Sequence, residues 1–361
     1  MDWDAVIAAG LYDPAAPGAA DRRALLEFLA AEGCSLDEMV AANARGRLFG
    51  LAGDRKVRPG RDEFTLREAA ELTGADVDFV VRLWQAYGLP IVDADTKVAS
   101  RADLDVLPLF VANARLLGED GALGLARVAG ASVARFADAI SAALRAALTD
   151  LAIDNTGSEA ETARAYSRIA ELTPAVGNAL DVLLRHHLES ARRQFEDSDS
   201  YDLALLGQIR VAVAFVDVAG FTALSQVATS AELARMLDSF EELASGLVNA
   251  VDGRVVKFIG DAVMYVTAKP AAAVEVALRL VDRSEHPVRA GVAYGVLLAQ
   301  DGDYFGPPVN LAARLVATAE PGQVLVSDEV CKLLPSDYEV QPLPPRELRG
   351  IAEPVTPYAV R

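Results

Sequence analysis

A cation and an anion stand four residues apart in the run Val255–Met264, at Lys257 and Asp261. Gly260 can adopt the positive φ of a tight turn, so the run predicts a β-hairpin with charges near its tip. Taken alone, the two residues are explained by an ordinary surface ion pair. Two further polar groups, one upstream and one downstream, favour a shared chemical site instead.

The upstream group is built around Asp217, which ends the short apolar run 209–217. The small-residue turn 218–222 that follows predicts backbone N–H groups and a helix start beside this carboxylate, an arrangement that suits a triphosphate. Asp261 approaches Asp217 if the hairpin lies beside the first strand. Two such carboxylates can bind two Mg²⁺ or Mn²⁺ ions that assist phosphoryl displacement. A helix cap or turn residue is the structural alternative for Asp217.

The downstream group runs from Asp303 to Arg314. Its two prolines, Pro307 and Pro308, suit the first turn of a helix, where a missing N–H costs nothing. Asn310 and Arg314 are four residues apart and share one helix face. An amide and a guanidinium side by side can orient a ribose and stabilise charge on a transferring phosphate. A solvated helix face is the alternative for the same pair.

The elements that position these groups lie in the second half of the chain. Residues 1–195 show helical spacing almost throughout, a polar linker follows at 196–207, and residues 208–361 alternate strands and helices. A hairpin interrupts the alternation, so the sheet is predicted to be mainly antiparallel. The fold class is therefore α+β at the C-terminus, with an all-α domain before it.

The helical half contains a segment, 64–90, with the spacing of a helix-turn-helix and a capping box at Thr65 and Glu68. It resembles the first helices of winged DNA-binding regulators of the mercury-resistance type. Acidic residues crowd the helices that would approach a groove, and few cations could contact phosphates. A packing module is favoured over DNA binding.

Composition supports the same exclusion. The net charge is -18 and the isoelectric point is about 4.6, which disfavour binding to nucleic acid or an anionic membrane. No apolar stretch is long enough for a membrane span, and no secretory signal is visible at the start. A cytoplasmic location is expected.

The motifs Phe215–Thr222, Lys257–Asp261 and Asp303–Arg314 resemble the catalytic motifs of the class III adenylyl cyclases. The resemblance covers about residues 205–361, and the helical half resembles, more weakly, the N-terminal regulatory domain of mycobacterial-type soluble cyclases. It implies a ferredoxin-like palm that acts as a homodimer, with each site shared by two subunits. The implied reaction converts ATP to 3′,5′-cyclic AMP and pyrophosphate.

The resemblance also implies a role for each site residue. Asp217 and Asp261 would hold two divalent metal ions, and Lys257 and Asp303 would read the adenine edge. Asn310 would orient the ribose, and Arg314 would stabilise the transition state. Lys257 can donate to adenine N1 and Asp303 can accept from its 6-amino group, so hydrogen bonding favours adenine as well. The remaining predicted substrate contacts are Gly220, Phe221, Thr222 and Arg349.

Arg349 enters because many relatives carry a phosphate-binding Arg shortly after the strand 288–294, where this chain reads Gly295–Leu297. We expect Arg349 to supply that cation. His186 and His187, near the end of the last helix before the linker, are the candidates for a pH switch; two solvated histidines are the alternative.

Two other functions compete with the cyclase. A transcription regulator could use a degenerate palm as a sensor, and a cyclic-dinucleotide synthase has a related palm. The complete set of six site residues argues against the first. The hairpin sequence Phe258–Ala262 lacks the Gly-Gly-acidic-Glu-Phe signature of the second.

Overall fold

The computed structural model describes residues 1–58, 60, 62–90, 93–147, 157–197 and 207–361. These residues form two compact units, Met1–Leu183 and Leu184–Arg361. The predicted linker 196–207 falls largely on 198–206, outside the described residues, and the predicted domain bounds stay a prediction.

The first unit is helical, as predicted. Its helices, in chain order, are α1 (Trp3–Ala8), α2 (Ala19–Ala31), α3 (Leu36–Ala44), α4 (Leu51–Val57), α5 (Leu66–Thr73), α6 (Val77–Ala86), α7 (Arg101–Ala147), α8 (Glu159–Ala170) and α9 (Thr173–Asp197), which continues into the second unit. A short 3₁₀-helix covers Leu48–Gly50, and Gly118 breaks the helical backbone of α7. Two short strands, β1 (Phe64–Thr65) and β2 (Lys97–Ala99), pair antiparallel.

The predicted helix-turn-helix is confirmed as local geometry. Thr65 and Glu68 form a reciprocal capping box at the start of α5, and Gly74 ends that helix in the left-handed conformation with φ 65°. Glycine adopts this conformation without a steric penalty, which lets the chain turn at once into α6. The apolar faces of α5 and α6 pack with α7 in one buried cluster.

The second unit is the α+β domain. Its elements are β3 (Gln208–Val218), α10 (Phe221–Leu224), α11 (Ser230–Asn249), β4 (Arg254–Ile259), β5 (Ala262–Thr267), α12 (Pro270–Arg283), β6 (Val288–Gln300), β7 (Asp303–Phe305), α13 (Pro307–Thr318), β8 (Val324–Val326), α14 (Asp328–Leu333), β9 (Val340–Pro342) and β10 (Tyr358–Val360). The strand order is β4-β5-β3-β6-β8-β10-β9, with β7 beside β6. All pairs are antiparallel except β6 with β8.

The four strands β3–β6 with helices α11 and α12 show the βαββαβ order of a ferredoxin-like palm, which confirms the predicted fold class. One sheet face packs against α11 and α12 in the largest buried cluster, and α13 lies over the other face. The helical segment between β3 and β4 is divided in two, because the first helix, α10, ends after four residues. Thr229 then starts α11 with its own capping box to Glu232.

A glycine sets the distance between α13 and the sheet. A Cβ atom on Gly291 would lie 2.4 Å from the carbonyl oxygen of Ala312 and from the amide nitrogen of Val316. No side chain fits that space, so α13 packs with its backbone directly on β6. The helix that carries Asn310 and Arg314 is thereby held close to the sheet.

Candidate active site

The first group of predicted site residues meets where β3 ends beside the β4–β5 hairpin. Asp217 is paired with Ala262 across β3 and β5, and the Val218 amide donates to the carbonyl oxygen of Asp261 at 3.2 Å. These contacts bring the two carboxyl groups close enough for Asp217 to raise the pKa of Asp261. The proximity of the two acids, predicted from the sequence, is present in the structure.

Two acids at one place raise the cost of ionisation. Burial raises the pKa of the Asp261 carboxyl, and the neighbouring Asp217 raises it further. Arg289, at the start of β6, acts in the opposite direction. Its Nη2 and Nε atoms lie 2.7 and 3.0 Å from Oδ2 of Asp217, so one cation partly compensates two acids. Both side chains of this ion pair are largely shielded from solvent.

The second group pairs Lys257 with Asp303. The ammonium of Lys257 donates to Oδ2 of Asp303, and the two side chains are partly exposed. The simple alternative from the sequence, an ion pair between Lys257 and Asp261, is therefore not what the chain forms. The other oxygen of Asp303 accepts from the Tyr304 amide at 2.8 Å, which orients the carboxylate.

The third group lies on α13. Asn310 and Arg314 are both exposed, one turn apart, while Ala312, Leu315 and Val316 are buried beneath them. Asn310 lines a cavity of about 420 Å³ together with Tyr294, Gly350 and Ile351. Within the described residues, no recorded contact joins Asn310 or Arg314 to the Asp217–Asp261 pair. The hydrogen bonds and ion pairs of the described residues thus leave Asn310 and Arg314 unlinked to the acid pair.

Both halves of the chain match known families. Residues 7–192 match the adenylate cyclase regulatory domain, and residues 207–361 match the adenylate and guanylate cyclase catalytic domain. The chain belongs to the adenylate and guanylate cyclase family. This confirms the resemblance to class III adenylyl cyclases with an N-terminal regulatory domain, and the prediction that the chain is an adenylate cyclase enzyme.

Three relatives illustrate how far the similarity extends. An uncharacterized protein of Mycobacterium tuberculosis strain H37Rv is 43% identical over 98% of this chain and 93% of its own length. The pH-sensitive adenylate cyclase of M. tuberculosis strain CDC 1551 is 33% identical over 95% of this chain and 88% of its own length. An adenylate cyclase of Glutamicibacter nicotianae is 30% identical over 79% of this chain and 75% of its own length.

The turn after β3 offers this cyclase fewer phosphate donors than the sequence predicted. Of the five residues 218–222, Val218 donates its amide to Asp261 and Ala219 donates its amide to Pro287, at 3.2 and 2.8 Å. The amides of Gly220, Phe221 and Thr222 remain, with no recorded backbone acceptor among the described residues. The helix that follows has only four residues, so its dipole adds little.

Arg289 is the site residue of the cyclase that sequence reasoning missed. The motif places a phosphate-binding cation at Gly295–Leu297, in the second half of β6, whereas Arg289 lies near the beginning of that strand. The signal for Arg289 was the pairing of β3 with β6, which sets Arg289 directly opposite Asp217.

Arg349, the cation proposed instead, is exposed. It lies on the loop that Leu348 anchors in a small buried cluster with Leu315 and Leu325. The next residues, Gly350 and Ile351, line the cavity beside Asn310. The loop therefore flanks the third group, on α13, and the role of Arg349 stays a prediction.

Proposed function

We propose that this cyclase converts ATP to 3′,5′-cyclic AMP and pyrophosphate at sites shared by two subunits of a homodimer. The observation that carries the choice of substrate is the Lys257–Asp303 pair. It sets one cationic donor beside one carboxylate acceptor, the complement of adenine N1 and its 6-amino group. A guanine edge presents a donor at N1 and an acceptor at O6. The donor at N1 would face the Lys257 ammonium, and the acceptor at O6 would face the Asp303 carboxylate, so neither could form a hydrogen bond.

We assign the site residues of one chain to two partial sites, as the family resemblance implies, and a homodimer joins them. Asp217 and Asp261 form one of them, while the base-reading pair and the exposed Asn310 and Arg314 form the other. A two-fold dimer brings different patches of two identical chains together twice, which completes two equivalent sites. The monomer is then inactive.

The donor set at Asp217 and Asp261 fits divalent metal ions. Two neighbouring carboxylates repel each other, and a divalent cation between them would compensate both negative charges. Mg²⁺ and Mn²⁺ are suited to this role, because they prefer oxygen ligands and complete their shells with substrate phosphates. Among the described residues there is no group of three or more metal-binding side chains, and two carboxylates are the number this proposal requires. When bound, such ions would neutralise charge on the triphosphate and lower the pKa of the attacking 3′-hydroxyl.

The chain's own residues supply the remaining steps. Asn310 holds the ribose so that its 3′-oxygen lies in line with the α-phosphorus. That oxygen gives up its proton to water and forms a bond to the α-phosphorus as the bond to the pyrophosphate oxygen breaks. Arg314 stabilises the negative charge that develops on the transferring group. The amides of Gly220, Phe221 and Thr222, with Arg349, bind the departing phosphates.

The decisive experiment incubates the purified full-length chain with ATP or GTP in the presence of Mn²⁺ and identifies the products by mass spectrometry. We expect cyclic AMP and pyrophosphate from ATP. Preferential formation of cyclic GMP would contradict the assignment of Lys257 and Asp303, and a cyclic dinucleotide would establish the competing synthase. No turnover of either nucleotide would overturn the proposal and favour the sensor with a degenerate palm.

Arg289 should matter for substrate binding. We propose that its guanidinium leaves Asp217 when metal ions bind there and contacts the triphosphate instead. Arg289→Gln should raise the KM for ATP roughly 10- to 100-fold and change kcat less, since a charged hydrogen bond in the bound state is lost. Steady-state kinetics check this, with Arg279→Gln as the control, because Arg279 forms an exposed ion pair with Glu275 on α12. An unchanged KM in Arg289→Gln would contradict the proposed contact.

The histidines offer a test of regulation by pH. His187 lines a cavity of about 500 Å³ in which Arg254 of β4 is the other charged group, while His186 is not among the lining residues. On the same helix, Glu189 and Arg193 form an ion pair with each other. A change of charge on His187 would alter the electrostatics of this cavity, which reaches the start of β4.

We therefore expect His187→Asn to flatten the pH dependence of activity. His186→Asn is the matched control and should leave the profile unchanged. Initial rates measured from mildly acidic to alkaline pH decide the point. Identical profiles for His187→Asn and the unmodified chain would remove the hypothesis.

The sequence predicts no membrane-spanning segment, and the helices can be compared with this prediction. In the part of the chain that the structure describes, no helix combines the length and the apolarity needed to cross a bilayer.

A further inference from the structure

A bulge in β4 turns two cations to the same side of the sheet. In a regular strand, residues three apart point to opposite faces. Here the pairing with β5 shifts between Val255 and Lys257, so an extra residue is accommodated. Arg254 pairs with Val266, and Lys257 pairs with Met264, which lies two residues before Val266 on β5. Since cross-strand partners share a face and residues two apart do as well, Arg254 and Lys257 point the same way.

Both cations reach the hairpin formed by β6 and β7. Lys257 donates to Asp303, and Arg254 donates from Nη2 to the carbonyl oxygen of Gly302 at 2.7 Å. The guanidinium of Arg254 also lies over the ring of Tyr304, 5.6 Å from its centroid. Arg254 therefore holds the residues on both sides of Asp303, one through its backbone and the other through its aromatic ring.

The backbone at this hairpin needs such support. Its turn residues, Asp301 and Gly302, have positive φ values of 52° and 78°, and Asp301 pays a conformational cost that glycine does not. Tyr304 is buried, with 6% of its surface exposed, so its ring is a fixed platform. A guanidinium that bonds to the turn and stacks on that platform restricts the path of the chain between them.

We propose that Arg254 is a positioning residue for base selection: it fixes the β6–β7 turn so that the carboxylate of Asp303 stands where the 6-amino group of adenine is read. Arg254 does not touch the base. The inference rests on the proposed function, in which Asp303 and Lys257 select adenine. A carboxylate displaced by about 1 Å would lose much of its preference for the correct hydrogen-bonding partner.

The test compares ATP and GTP as substrates of full-length variants. The measured quantity is the ratio of kcat/KM for ATP to kcat/KM for GTP, which a general loss of stability would not change. Arg254→Met keeps the apolar stem and removes the guanidinium, and it should lower the ratio roughly tenfold. Arg254→Lys should restore part of it, because an ammonium can still donate to Gly302 but lacks the planar fork. The matched control is Arg279→Met, which removes an exposed guanidinium from α12 and should leave the ratio unchanged.

Two reference variants separate this inference from the proposed function. Lys257→Ala and Asp303→Ala should each lower the ratio, and if neither does, the base assignment itself is wrong. If both lower it and Arg254→Met does not, the positioning role is overturned.

A double variant, Arg254→Met with Asp303→Ala, should have the same ratio as Asp303→Ala alone, since Arg254 acts through Asp303. Independent, multiplying losses would contradict that route. Should Arg254→Met fail to fold, Tyr304→Leu removes the stacking platform and is expected to lower the ratio in the same direction; an unchanged ratio in that variant would overturn the inference.

Discussion

Replacement of Asp261 by Ala is expected to reduce cyclic AMP formation at least about a thousandfold, because one of the two carboxylates proposed to hold the metal ions is lost. Thermal unfolding with and without Mn²⁺ provides a second readout. The unmodified chain should be stabilised by Mn²⁺ with ATP, since a ligand that binds only the folded state raises its stability, and the variant should respond much less. Equal stabilisation of both chains would show that Asp261 is not a metal ligand.

The same variant tests the shared site. Lys257→Ala should also be nearly inactive, yet a mixture of the two inactive chains should regain activity. A mixed dimer has one site with both substitutions and one with neither. In an equimolar mixture that exchanges subunits freely, half of the dimers are mixed, so about one quarter of the unmodified activity should return.

The control for this experiment is a mixture of Asp217→Ala with Asp261→Ala. Both substitutions lie in the same partial site, so each site of a mixed dimer carries one of them and no activity should return. Failure of Asp261→Ala and Lys257→Ala chains to complement each other, when mixed dimers are shown to form, would argue that each subunit carries a complete site. Recovery in the control mixture of Asp217→Ala with Asp261→Ala would show instead that the two carboxylates act in different partial sites.

Arg314→Ala should have the second largest effect, lowering kcat by roughly 10²- to 10³-fold while the KM for ATP changes little. The reason is that Arg314 is proposed to contact charge that is greatest in the transition state. The side chain is exposed on α13, so its removal creates no cavity and should not change the thermal midpoint. Steady-state kinetics with ATP and a thermal unfolding curve measure both quantities.

Two further variants sharpen the result for Arg314. Arg314→Lys retains the charge without the planar fork and should recover only part of the rate. Arg279→Ala, an exposed arginine on α12, is the control and should leave kcat unchanged. A rise in KM with kcat preserved would assign Arg314 to substrate binding rather than to the transition state.

The comparison of Arg289 with Arg349 shows where local reading of the sequence failed. The expectation of a cation near Gly295–Leu297 came from motif position along one strand. The structure instead pairs Arg289 with Asp217, 72 residues away in the chain, because β3 and β6 are neighbours. Such a contact depends on which strands pair and in which register, and neither appears in a single stretch of sequence.

The β4–β5 hairpin also combines features that the sequence predicts with a contact that it does not. Its turn at Gly260 and its two strands followed from residue types and spacing, as did the capping boxes of the helices. The partner of Lys257 did not, because the bulge in β4 and the return of the β6–β7 hairpin decide which way that side chain points and what it meets.

The sequence by itself determined the family, the α+β order of the second half and the residue types of the site, since these depend on local periodicity, turn chemistry and motif spacing. Tertiary structure alone decided that Arg289 compensates the acid pair, that two of five predicted phosphate donors are already engaged, and that Arg254 and Lys257 share a face. Those outcomes arise from strand register, a bulge and long-range hydrogen bonds, whose partners are chosen only when distant segments pack together.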